Sequence, residues 1–390
     1  MGTESLITDF FNKYTSKEET LSKLPLSMTI DEIWADELNY RKERANVLPL
    51  TDASGENYWF VQNSRIIKAG DKLAELARNE AASSIIADSD RIDPSTLVDE
   101  AYYSSATEGA AVKLERARSF LASGMGYKTR DEQMLKGTYN ALKYAAEHLR
   151  DTIDSDMMFE LARLLNQDAN GGGYRTLEMN IRNASGDVVF ATPSPASIKP
   201  MMDNLFKYIA DPRIHPIIKS AIAHMYFVAV QPFADGNGRL GRLLSYLILM
   251  DAGYDFFGRV AFSSLLLKEK SRYYKAIRTS ISPENGGDFT YFAEYYIGML
   301  ARSLDGVSEK LQHMSRLEAI SAILDPMEDR RAINGAKWMI EEGITTITTE
   351  QWRSHFDISF ETARQDLHKL EGIGFVNKNI IGRKHFYEVW

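Results

Sequence analysis

Apolar residues Ile217, Ile218, Ala221, Ile222, Met225, Val228 and Ala229 recur at intervals of three and four, the spacing of a buried helix. The period stops at Gln231-Pro232 and restarts with Leu240, Leu243, Leu244, Leu247 and Ile248. Pro232 accounts for the stop, because it has no backbone donor and disfavours helix in the residue before it. The same period predicts helices over 66–85, from about Pro94 to Leu121, and over 131–149. It also predicts 155–169 with Ser155 as N-cap, Ala196 to Ala210, Ser263 to Ser280, and a helix capped by Asp288 that runs to about Asp305. Tyr174 to Ile181 and Val188 to Thr192 read as two short strands around Asn183-Ala184-Ser185-Gly186. Thr51 to Asn57 reads as a turn, and Trp59 and Phe60 as core. The last stretch predicts helices Met327–Glu342, Thr349–Phe356 and Ser359–Glu371, then strands around Gly382-Arg383. The fold class is mainly α with small hairpins.

Chemistry concentrates between the two central helices, in Gln231-Pro232-Phe233-Ala234-Asp235-Gly236-Asn237-Gly238-Arg239-Leu240-Gly241-Arg242. Two glycines let the backbone approach a ligand, and the free amides at the start of the new helix favour an anion. Arg239 and Arg242, three apart, share a helix face and suit phosphate oxygens. Asp235 is a hard oxygen ligand of the kind that holds Mg²⁺ beside phosphates. The pattern reads as a triphosphate cradle.

Composition narrows the classes. The chain has 390 residues, 44% hydrophobic and 26% charged, which fits two or three globular domains. The absence of Cys excludes disulfides, thiolate metal sites and cysteine nucleophiles. No run approaches the roughly 18 apolar residues of a membrane span, and Met1-Gly2-Thr3-Glu4-Ser5 opens no signal peptide. A soluble cytoplasmic protein with no membrane partner is therefore expected. The net charge of -8 argues against a broad nucleic-acid surface while leaving room for a local one.

The segment 231–242 resembles the Fic family signature, His-Pro-Phe-x-Asp/Glu-Gly-Asn-Gly-Arg-x-x-Arg, and departs from it only where the family's His is Gln231. The resemblance implies AMP transfer from ATP to a protein hydroxyl (AMPylation), with Mg²⁺ on Asp235 and phosphates on Gly236, Asn237, Gly238, Arg239 and Arg242. Ser104-Ser105-Ala106-Thr107-Glu108-Gly109 resembles the family's inhibitory motif, in which the glutamate pairs with the second motif arginine and blocks the γ-phosphate site. Ser104 and Glu108 are four apart and share a helix face. Arg175 and the hairpin 174–192 resemble the family's flap, which holds a target protein by strand addition. Tyr273 and Tyr274 resemble the aromatic pair at the family's base site, and an aromatic stripe is also a common core feature.

Four regions follow: a helical extension over 1–95, a Fic domain over 96–305, a helical linker over 306–325, and a winged helix-turn-helix over 326–390. In that last module Ser359 to Leu367 resembles a recognition helix, with Arg364 and Lys369 facing a groove. Eight basic and eight acidic residues over Arg331–Trp390 make it neutral, so DNA binding, protein contact and homodimerisation stay open.

Gln231 decides the expected activity. The family's His takes the hydroxyl proton, whereas Gln has no titratable base and only orients or donates. General base catalysis is worth about 10²–10⁴-fold, so ATP binding should survive with slow transfer. His224 lies two helical turns back, about 10 Å away, and reads as structural. Two functions remain: an autoinhibited, impaired adenylyltransferase, or a nucleotide-sensing or DNA-binding regulator on a Fic scaffold.

Overall fold

A computed structural model describes residues 14–22, 29–78, 94–167, 173–182, 186, 188–254, 258, 261–304, 329–381 and 384–389. The chain forms two compact units, Met1–Val307 and Ser308–Trp390. The first opens with α1 (Lys17–Leu21), α2 (Ile30–Lys42), strands β1 (Asn46–Thr51) and β2 (Asn57–Phe60), and α3 (Ser64–Arg78). Then come α4 (Pro94–Thr107), α5 (Leu114–Ser123), α6 (Arg130–Glu147), α7 (Ser155–Asn166), β3 (Asn180–Arg182), β4 (Val188–Ala191) and α8 (Pro195–Ala210). The unit closes with α9 (Pro216–Val230), α10 (Asn237–Asp251), α11 (Ser263–Lys268), α12 (Lys270–Ile281) and α13 (Thr290–Ser303).

The core is built around α9 and α10. Every residue from Ser220 to Val230 is buried, as is almost all of Asn237 to Met250. A helix apolar on all sides must be surrounded, and its neighbours supply that cover. Residues 14–78 share this core rather than folding apart: Leu48, Leu50, Tyr58, Phe60, Ile66 and Leu73 join it.

Several elements differ from the expectations drawn from sequence. The antiparallel β1–β2 hairpin, with Val47 opposite Trp59, shows in the sequence only as a turn, since each strand is too short for alternation to stand out. The helix expected from Pro94 to Leu121 is two: α4 ends at Thr107, where Gly109 takes φ 103°, and α5 starts at Leu114. Asp154, not Ser155, caps α7 by accepting from the Met157 amide. Ser263 to Ser280 breaks at Glu269 into α11 and α12. The run from Tyr174 to Met179 is irregular, because Arg175 fastens it down. Residues 79–93, 183–185 and 305–328, including the expected linker, lie outside the described residues.

The second unit contains α14 (Arg330–Glu341), β5 (Thr346–Thr348), α15 (Thr349–Phe356), α16 (Phe360–Gly372), β6 (Val376–Ile381) and β7 (Lys384–Val389). Its antiparallel sheet has the order β5-β7-β6. Trp352, Leu367, Leu370, Phe375 and Tyr387 form its own core. Strand β5 has no counterpart among the sequence expectations, since three residues carry no period.

Candidate active site

Helix α9 ends where Pro232 requires it to. Gln231 follows in the left-handed region, φ 49° and ψ 59°, with its amide on the Phe227 carbonyl at 3.0 Å. Its side chain folds back on the same helix, Nε2 donating to the Val228 carbonyl at 2.8 Å. Asn237 then clasps the loop. Its Oδ1 accepts from the Phe233 amide at 2.9 Å and its Nδ2 donates to the Phe233 carbonyl at 2.7 Å. Both side-chain atoms are thus spent inside the loop, leaving only the Asn237 backbone amide to face a phosphate. Gly236 has φ 81°, and the amides of α10 open toward a cavity of about 760 Å³. Asp235 is exposed at its rim, with Oδ1 accepting from the Gly236 amide at 2.7 Å.

The two motif arginines differ. Arg242 is 1% exposed, and its Nε donates to Ser104 Oγ at 2.9 Å. Its Nη2 reaches the Ser104 carbonyl at 3.0 Å and Glu108 Oε1 at 2.8 Å. Burial works against its charge, and the carboxylate of Glu108 with the phenols of Tyr273 and Tyr274 outweighs it, so its pKa is raised. Glu108 lies against Gly238, where any Cβ would collide with its carboxylate. Gly109 sits just beyond the pair, past the end of α4. Arg239 is 4% exposed and makes no hydrogen bond or ion pair among the described residues, and its Nε is buried without a partner. Burial pushes its pKa down, the nearby charges of Asp235 and Glu108 oppose that, and Arg242 and Arg130 add to it. A buried guanidinium without a hydrogen-bonded anion is a costly arrangement that a phosphate would relieve.

Both members of the aromatic pair border the first cavity, at different depths. Tyr273 is core, 1% exposed, its hydroxyl 2.9 Å from His224 Nε2, and burial pushes its pKa up to about 12. Tyr274 stands on the cavity wall, 3.4 Å from Glu108 Oε2. His224 is fully buried between Tyr273 and Ser245 Oγ, and burial holds its pKa well below the usual value. It is the structural residue its spacing indicated.

Arg175 anchors the hairpin. Its Nε donates to the Gln231 carbonyl at 2.8 Å, Nη1 to Leu177 at 2.9 Å, and Nη2 to Thr192 Oγ1 and Pro193. Its amide reaches the Pro232 carbonyl at 2.9 Å, so one buried residue ties the hairpin's base to the motif loop. Among the described residues, strands β3 and β4 pair only with each other. A second cavity of about 810 Å³ lies on the hairpin side, and Arg130, Met134, Met179, Asp235 and Arg239 line both. Arg130 and the two methionines carry no sequence signal, because only packing brings α6 to the loop.

Two buried helices joined by a glycine-bearing loop, with a carboxylate from the turn after α4 set against that loop, are the arrangement that the sequence resemblance led us to expect. Residues 152–249 match the Fic/DOC family. The chain is 29% identical over 232 residues to protein adenylyltransferase fic-1 of Caenorhabditis elegans, covering 53% of this chain and 42% of that protein. The corresponding figures for protein adenylyltransferase Fic of Nematostella vectensis are 28% over 218 residues, 52% and 47%. The chain thus spans less than half the length of these curated relatives. In fold it resembles a Fic family protein of Desulfovibrio desulfuricans G20 with TM-score 0.55 and 17% identity, covering 84% of this chain and 96% of that one.

Proposed function

We propose that the chain binds ATP between α10 and Tyr274 and is an autoinhibited protein adenylyltransferase, impaired because Gln231 stands at the base position. The observation that carries this reading is the Arg242–Glu108 pair at 2.8 Å, set on Gly238 beside the unpartnered Arg239. Glu108 occupies the guanidinium that a γ-phosphate would take, and its charge repels phosphate oxygens. With Glu108 displaced, the Gly236 to Gly238 amides, Arg239 and Arg242 hold the phosphates and stabilise charge on the leaving pyrophosphate.

Asp235 fits a Mg²⁺ held by one carboxylate together with phosphates and water. Its exposed carboxylate suits that role, whereas no cluster of three or more metal-binding side chains occurs among the described residues. Bound there, the ion neutralises phosphate charge. Gln231, tied to its own helix by Val228, takes no proton from an incoming hydroxyl. Its amide orients at most. The hairpin 174–192 offers a strand edge to a target protein segment, and Arg175 sets the distance from that edge to the loop.

The test compares transfer of labelled AMP by four chains: this one, Glu108→Gly, Gln231→His and the double variant. The double variant should transfer about 10²–10⁴-fold faster than Glu108→Gly. Equal rates for those two would show that Gln231 does not limit transfer.

The regulator reading draws on the same retained cradle and differs in output: nucleotide binding without transfer by any of the four chains. We read the second unit as a winged helix-turn-helix for protein contact. On α16, Arg364 pairs with Glu361, His368 with Glu371 and Lys369 with Asp329, leaving that helix little cationic surface for DNA.

A further inference from the structure

Helix α4 and the turn after it present Glu100, Ser104 and Glu108 at successive intervals of four, and Arg242 lies over this stripe through Ser104 and Glu108. Behind the arginines is a small void of about 10 Å³, bounded by Glu100, Ser104, Thr138, Leu142, Arg239 and Arg242 among others. That is the volume one water molecule requires. The surrounding chemistry is also of the right kind. Arg239 and Arg242 both border the void, and Arg239 Nε and Arg242 Nη1 are buried without a hydrogen-bond partner among the described residues. Ser104 Oγ accepts from Arg242, which leaves its own proton to give. The Glu100 carboxylate accepts from the Ser263 amide at 3.1 Å and from the Ser263 hydroxyl, and each oxygen keeps a free lone pair.

We propose that one ordered water fills this void, accepting from Arg239 Nε and Ser104 Oγ and donating to Glu100, and so holds the Arg239 guanidinium toward the cradle from behind. A site with both donors and a carboxyl oxygen to accept suits water, which does both jobs. A halide would satisfy Arg239 but would face the Glu100 carboxylate.

The water would make the buried glutamate a positioning residue for the phosphate site without touching the ligand. Its effect on nucleotide rests on the function proposed above, while its presence does not.

A high-resolution crystal structure of the chain, with a parallel bromide soak, tests the water directly. The expected result is a single water-sized peak within hydrogen-bonding distance of Arg239 Nε and no anomalous bromide signal. An empty void, or bromide in it, overturns the proposal whether or not the chain binds nucleotide. Leu142→Phe, which pushes a ring into the void, should lower ADP affinity about tenfold by calorimetry, since a buried donor is left unsatisfied. A variant that melts cooperatively, lacks the peak and binds ADP as tightly as the parent would overturn the positioning role. If Leu142→Phe does not fold, Glu100→Gln is compared in its place: loss of the peak with unchanged ADP affinity overturns the positioning role in the same way.

Discussion

Two buried arginines in the first unit have opposite surroundings. Arg41, 2% exposed, donates to Glu37 at 2.6 Å, to the Tyr291 hydroxyl at 2.7 Å and to the Thr15 carbonyl at 3.0 Å, with Asp288 at 3.8 Å. Arg239, 4% exposed, has no partner among the described residues. Both charges were taken out of water at similar cost. Arg41 is hydrogen-bonded from within the protein, whereas Arg239 has the charges of Asp235 and Glu108 nearby but no hydrogen bond among the described residues. The first therefore reads as structure, fastening Thr15 and Glu37 to the start of α13, and the second as a cation able to meet an anion. Burial alone separates neither; the accounting of partners does.

The sharpest test of that contrast is a pair of alanine variants. Arg41→Ala strands Glu37 and Asp288 and should cost about 3–5 kcal/mol of stability, with ATP affinity per folded molecule unchanged. Arg239→Ala should leave the melting temperature unchanged or higher and weaken ATP binding roughly 10- to 100-fold. Denaturant unfolding and calorimetry on both variants decide it. An Arg239→Ala protein that loses stability but keeps its affinity would erase the contrast.

Glu100 extends the comparison to a carboxylate. Burial raises its pKa from 4.5 to about 7, against the hydrogen bonds from Ser263 and the charge of Arg242. A group whose folded pKa is raised contributes stability that is full below pH 4.5 and is lost as pH rises through 7. Glu100→Gln removes that loss. Relative to the parent it should gain on the order of 2 kcal/mol between pH 5 and pH 8, read by urea titration at both values. A difference between the two chains that stays flat with pH would show that Glu100 does not titrate there.

Glu108→Gly separates the two motif arginines. It frees Arg242 and should tighten ATP by about tenfold while leaving ADP, which lacks the γ-phosphate, nearly unmoved. Equal gains for both nucleotides would place Glu108 elsewhere than on the γ site. The smallest effect belongs to the surface of the second unit. There Arg364 and Glu361 are both largely exposed, and Glu361→Ala should change stability by less than about 0.5 kcal/mol. It should also confer no binding to duplex DNA in a fluorescence titration. Tight, salt-dependent binding would restore the DNA reading of α16.

The sequence by itself determined the α9–loop–α10 unit, because Pro232, the glycines and the apolar period act within a few residues of one another. It likewise placed Ser104 and Glu108 four apart, where both reach Arg242, and set His224 two turns back from the loop. Tertiary structure alone decided how those side chains are used. Asn237 turns its amide into the loop, Arg239 is buried without a hydrogen-bond partner among the described residues, Tyr273 is buried more deeply than Tyr274 behind the same cavity, and Arg175 binds the hairpin to Gln231. Each of these depends on which helices pack together and on which donors find acceptors across long stretches of chain. Local propensity carries no information about such pairings. A residue's type states what it can bond; only packing states what is left for it to bond.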